Sequence, residues 1–118
     1  MKIAIIGSRG ITVQNIADYV SESDEIVSGG AIGVDRSAAE YAKKKGLKLT
    51  EFLPQYQRYG RAAPILRNKK IVDYADKVIA FWNGSSKGTL SVIKYAEKTG
   101  KPCEVVMCEQ TLPKGRFR

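Results

Sequence analysis

The sequence predicts an α/β fold: a three-layer, doubly wound parallel sheet of about five strands in the order 3-2-1-4-5, with helices on both faces. Three observations predict it. Short β-branched runs alternate with segments of helical period along the chain, the pattern of strand-helix-strand crossovers. Glycine-bearing loops follow the first, second and fourth of these runs and lead towards helices. The 118 residues suffice for one domain, which should bury roughly 65% of the surface its unfolded chain exposes.

The first strand is Lys2 to Ile6, ending on Gly7. Beyond a Gly-rich turn, Val13, Ile16, Ala17 and Val20 recur at helical spacing, which predicts a first helix with Thr12 as its N-cap. Glu25 to Ser28 is the second strand. The helix after it carries Val34, Ala38, Tyr41 and Ala42 on one stripe and closes on Gly46, with Lys43, Lys44 and Lys45 in a last turn whose dipole favours cations.

Leu47 to Leu53 is the third strand, stopped by Pro54, and a polar loop runs on to Pro64 in the first turn of the next helix. That helix has the stripe Ile65, Asn68, Val72 and Ala75, which sets an asparagine among apolar neighbours and requires a polar partner for it. Lys77 to Phe81 is the fourth strand, and Trp82 to Gly88 a loop. Thr89 to Thr99 is a helix with Val92, Ile93 and Ala96 inward, ended by Gly100 and Pro102, and Cys103 to Met107 is the fifth strand. Residues 1–108 thus form one domain. The pattern is lost from Glu109, and Lys114, Arg116 and Arg118 make 109–118 a basic tail.

Composition narrows the function. The longest apolar runs, Ile3 to Ile6 and Val78 to Trp82, fall far below the roughly 20 residues of a membrane-spanning helix. Met1 to Gly10 lacks the apolar region of about 7 to 15 residues of a secretory leader. The expectation is a cytoplasmic protein with no membrane partner. Cys103 and Cys108 stand five apart on a strand, face opposite sides and read as small hydrophobes rather than a bridge. The absence of histidine removes Ser-His-Asp and Cys-His catalysis and the usual zinc ligand sets, so neither a metal nor a resident cofactor is expected.

Three loops, Gly7 to Gly10, Gly29 to Gly33 and Gly84 to Gly88, each follow a strand and precede a helix. Right-handed crossovers gather them at the carboxyl edge of the sheet. For the order 3-2-1-4-5 the strand order reverses between the first and fourth strands, and open α/β sheets bind ligands in that crevice. Ser8 and Arg9 lie on the first loop, Ser85, Ser86, Lys87 and Thr89 on or beside the last, and Arg67 with Asn68 near the start of a crossover helix. Hydroxyls, cations and helix N-termini suit an anion, so a small phosphorylated ligand is expected. Gly7-Ser8-Arg9-Gly10 lacks the GxGxxG spacing, and Gly84-Ser85-Ser86-Lys87-Gly88-Thr89 places its lysine before the second glycine, unlike a Walker A loop.

In order along the chain, Ile5-Ile6-Gly7-Ser8-Arg9, Ser28-Gly29-Gly30-Ala31-Ile32-Gly33-Val34-Asp35, Arg67-Asn68, and Ala80-Phe81-Trp82-Asn83-Gly84 with Lys87-Gly88-Thr89 resemble the SLOG superfamily. The similarity is greatest to its YspA- and YpsA-related group and runs from about Lys2 to Met107. It implies a Rossmann-like fold with a site for a nucleotide or nucleotide-derived ligand, in sensing or in processing. It implies ligand contacts at Gly7, Ser8, Arg9, Gly29, Gly30, Gly33, Asn68, Gly84, Lys87, Gly88 and Thr89, and points to Arg67 and Asp35. Asp35 opens a crossover helix, where a carboxylate either caps exposed N–H groups or engages a ribose hydroxyl or a water.

Two further readings come with the resemblance. Enzymes of the LOG type cleave the N-glycosidic bond of nucleoside monophosphates with an arginine and a glutamate. Gly88-Thr89-Leu90-Ser91-Val92 aligns with the end of their glycine block and puts Val92 at the glutamate position, so such a hydrolase would have to use Asp35 with Arg67 as its catalytic pair. The DprA-like branch binds single-stranded DNA. Phe52 to Val72 holds Arg58, Arg61, Arg67, Lys69 and Lys70 with no acidic residue, interleaved with Phe52, Tyr56 and Tyr59. A single-stranded nucleic acid would use cations and rings in this way, and a solvated basic loop beside a phosphate site has the same composition. Members of the superfamily often pair, so a homodimer is expected, with the helix surfaces around Tyr41 or Tyr95 as candidate contacts.

Overall fold

The structure is a computed structural model and describes residues 1–22, 24–30 and 33–108. The basic tail expected at 109–118 lies outside the described residues, as do Ala31 and Ile32 of the second glycine loop. The strands are β1 (Lys2–Gly7), β2 (Glu25–Ser28), β3 (Leu49–Glu51), β4 (Lys77–Trp82) and β5 (Cys103–Met107). The helices are α1 (Val34–Lys45), a single turn α2 (Tyr56–Tyr59), α3 (Ala63–Tyr74) and α4 (Lys87–Thr99).

All five strands pair in parallel in the order β3-β2-β1-β4-β5, a Rossmann-like α/β arrangement. The period of two divides the apolar residues of β1 between two cores. Ala4 and Ile6 meet Ile71, Val72 and Ala75 of the α3 region and Val92, Ile93 and Ala96 of α4. Ile3 and Ile5 meet Val34, Ala38 and Ala42 of α1 with Ile79 and Phe81. The two cysteines divide likewise, Cys103 packing against the first cluster and Cys108 against the second. Both are free, and burial pushes both thiols up, with the Glu97 charge adding to the effect at Cys103.

Helices α1 and α4 end as their sequences predict. Leu47 N–H donates to the Ala42 carbonyl (2.9 Å) and Gly46 N–H to Lys43 (3.4 Å), while Lys101 and Gly100 repeat the pattern on Ala96 and Glu97. These are Schellman caps on left-handed glycines. Lys43, Lys44 and Lys45 are exposed on the last turn of α1. Tyr41 packs against the second cluster, and the Tyr95 hydroxyl donates to Asp73 at 2.9 Å.

Four expectations need correction. The helix predicted over Thr12 to Val20 is a single 3-10 turn, Ile16–Asp18. A segment this short with three β-branched apolar positions among its few residues cannot sustain a helix alone. It is fixed instead by burial of Ile11 and Ile16 and by the Val13 N–H donated to the Ser37 hydroxyl (3.1 Å). The third strand is three residues long rather than seven, because it pairs only with Ile26 to Ser28 of the short β2. The polar loop before Pro64 contains α2 and a second 3-10 turn, Gly60–Ala62. Ile65 is 53% exposed, since the inward positions of α3 are Ala63, Ile71 and Val72. No helix among the described residues is long and apolar enough to cross a membrane.

Candidate functional site

The crevice sits where the topology places it, between the carboxyl ends of β1 and β4, the point of strand-order reversal. It is a cleft of about 220 Å³ whose lining includes Gly7 and Arg9 from the first loop, Asp35 from α1, and Pro64, Arg67, Asn68 and Ile71 from α3. Ser86, Gly88, Thr89 and Val92 line it from the α4 side.

Two glycines allow the loops to approach so closely. Gly33 has φ of +79°, and a Cβ there would lie 2.4 Å from the Arg9 carbonyl oxygen, so the second loop rests directly on the first. A Cβ on Gly29 would lie 2.7 Å from Arg67 Nη1 and 2.8 Å from Asp35 Oδ2. The end of β2 is therefore bare backbone, and both charged side chains close onto it.

The polar groups are held in fixed positions. Arg67 donates through Nη1 to the Gly29 carbonyl (2.6 Å) and through Nε to Asn68 Oδ1 (2.9 Å). Asn68 Nδ2 donates to the Ser91 hydroxyl (3.3 Å), which donates to the Gly88 carbonyl (3.0 Å). This chain runs from β2 across α3 to the first turn of α4, and it supplies the partner that the sequence demanded for Asn68. Asp35 is 5% exposed, and its Oδ2 accepts the Gly29 N–H (3.1 Å), while its own carbonyl accepts from the Ser28 hydroxyl (3.3 Å). That carboxylate therefore ties its helix to the preceding strand and lines the cleft as well.

The electrostatic balance favours an anion. Two arginines, Arg9 and Arg67, line the cleft, against one acidic side chain, Asp35. Ser86 caps α4, its hydroxyl oxygen accepting the Thr89 N–H (3.4 Å) and donating to Thr89 Oγ1 (3.2 Å). Gly88, in the first turn of α4, has open space where a Cβ would stand, at the positively polarised end of that helix.

The other predicted residues sit elsewhere along the same edge. Ser8 is buried, its N–H donating to Phe81 (3.0 Å) and its hydroxyl oxygen accepting from Asn83 N–H (3.3 Å), so it locks the first loop to the end of β4. Gly30 lies against Leu53 and Gly84 against Met107. Lys87 is exposed and does not line the cleft. Pro64 and Ile71, which form part of the wall, carry no chemical signal in the sequence and follow only from the phase of α3. Among the described residues no cluster of metal-ligating side chains occurs. Compared with models of known families, with curated proteins and with solved structures, the chain matches none.

Proposed function

We propose that this cleft binds a nucleotide or nucleotide-derived phosphorylated ligand. The observation that carries the reading is the convergence of Arg9, Arg67 and the N-terminus of α4 on one cleft, with the buried Asp35 carboxylate beside them. The cations and backbone N–H groups match a phosphate, and a carboxylate that accepts hydrogen bonds matches the hydroxyls of a sugar. The four sequence blocks that resemble the SLOG superfamily support the same ligand class. Binding, in sensing or processing, is the activity proposed. Val92, 2% exposed, occupies the cleft wall where the resemblance would require a glutamate, so N-glycosidic hydrolysis would rest on Asp35 and Arg67 alone. Free base released from a nucleoside monophosphate, and lost in Asp35→Asn, would establish that hydrolysis.

Calorimetry with a panel of nucleotides tests the proposal on the wild type and on Arg9→Ala and Arg67→Ala. The expected result is binding of a phosphorylated member, weakened in both variants, with the unphosphorylated nucleoside far weaker. Absence of any phosphate-dependent binding contradicts the proposal.

A second reading, single-stranded nucleic acid on the segment before α3, is favoured by Tyr56, which is 59% exposed beside the exposed Arg58 and Arg61. It requires affinity for oligonucleotides that falls linearly with log salt and weakens in Tyr56→Ala.

A further inference from the structure

A second cavity, of about 140 Å³, borders the same arginine. It lies at the end of β3, with Phe52, Leu66 and Tyr59 among its walls and Glu51, Gln55 and Lys70 as polar groups. Arg67 lines both this cavity and the cleft. We propose that this cavity is the subsite for the base of the nucleotide and that Tyr59 and Gln55 determine which base is preferred. The inference rests on the phosphate reading of the cleft.

Three observations lead to it. The cleft, at about 220 Å³, is smaller than the roughly 300 to 1,000 Å³ of pockets that enclose a whole small ligand. It has room for the sugar-phosphate end, and the rest of a nucleotide must extend beyond it. The direction of extension is set by the strand order. β1, β2 and β3 are successive neighbours, so their ends span roughly 10 Å, two inter-strand spacings. That is comparable to the reach from a phosphate to the far edge of its base. Arg67, bonded to Gly29 at the end of β2, lies between the two cavities.

The chemistry of the second cavity also differs from that of the cleft. Aromatic and aliphatic walls suit the faces of a planar heterocycle, while a carboxylate, an amide and an ammonium group can address the hydrogen-bonding edge of a base. Glu51 is a carboxylate, so the cavity is less suited to a phosphate than the cleft and its lining can also accept hydrogen bonds from a base. Gln55 is exposed and Tyr59 half-buried, neither in the two cores, so both positions tolerate truncation without loss of the fold.

The test compares ribose 5-phosphate with AMP, GMP, CMP and UMP by calorimetry on the full chain, in wild type, Tyr59→Ala and Gln55→Ala. The expected result is that at least one nucleotide binds the wild type about tenfold or more tightly than ribose 5-phosphate, and that this preference falls about tenfold in Tyr59→Ala. Gln55→Ala changes the ranking of the four bases. Equal affinity for ribose 5-phosphate and all four nucleotides, or an unchanged preference and ranking in both variants, overturns the base subsite and leaves the phosphate reading standing. Failure of ribose 5-phosphate and every nucleotide to bind the wild type overturns both.

Discussion

At Gly29 the backbone and the site chemistry meet, because Arg67 and Asp35 both occupy the space that a side chain would need. Gly29→Ala must push the flexible end of Arg67 away, breaking its bond to the Gly29 carbonyl. It is expected to weaken ligand binding on the order of tenfold in calorimetry at a stability cost of about 1 kcal/mol in denaturant unfolding. Arg67→Lys keeps the charge but cannot reproduce the fork that spans Gly29 and Asn68, so its binding loss should approach that of Arg67→Ala. Much of this cluster is legible in the sequence, since crossover handedness brings the three glycine loops to one edge, whereas Asp35 is indicated only by the family resemblance. The sequence does not say which way a loop side chain turns. Ser8 therefore points into protein, and Lys87 stays off the cleft. Far from the site, Glu25 illustrates a residue whose role is stability. Burial raises its carboxyl pKa, but hydrogen bonds from Thr50 and Tyr74 and the Lys48 charge outweigh burial and leave it lowered. A lowered folded-state value means stabilisation that is present above the ordinary glutamate range, near 4.3, and is lost as pH falls through the folded value. Glu25→Gln should accordingly flatten the acid limb of a stability-pH curve, and an unchanged limb would remove Glu25 from that role.

At the level of the element, α4 matters most, because its first turn forms part of the cleft. Ser86→Ala removes the cap and is expected to cost about 0.5 to 1 kcal/mol in denaturant unfolding, at the low end because the capping bond is 3.4 Å long. It should also weaken phosphate binding, since the cap fixes the N–H groups of that turn. The elements that sequence pattern predicts well are those with several agreeing signals. α1 and α4 combine an apolar stripe, a C-terminal glycine and a flanking strand, and β2 and β5 coincide with their predicted spans. The segment from Thr12 to Val20 has a stripe and Thr12 as a cap but no C-terminal glycine. Its apolar spacing is met equally by a loop anchored through Ile11 and Ile16, and tertiary burial decides the outcome. α2 escapes prediction because four residues carry too little periodicity to register.

For the whole molecule, the charge of +8 resolves into parts with different roles. Lys43, Lys44 and Lys45 belong to the end of α1, Arg58 and Arg61 to the surface before α3, and Arg9 and Arg67 to the cleft. A nucleotide held in the cleft and an oligonucleotide held on the exposed surface around Arg61 therefore separate by mutation. Arg61→Ala should lower the salt dependence of oligonucleotide binding and leave nucleotide binding within about twofold. The sheet order brings the cleft and the cavity at the end of β3 to one edge, with Arg67 lining both, and the proposed phosphate recognition at the cleft is the premise for the base subsite. The most direct test is calorimetric titration of the wild type and Arg67→Ala with nucleoside monophosphates and the corresponding unphosphorylated nucleosides. The expected result is binding that depends on the phosphate and falls on the order of tenfold to hundredfold in the variant. Equal binding of nucleotide and nucleoside, or no difference between wild type and Arg67→Ala, would contradict it.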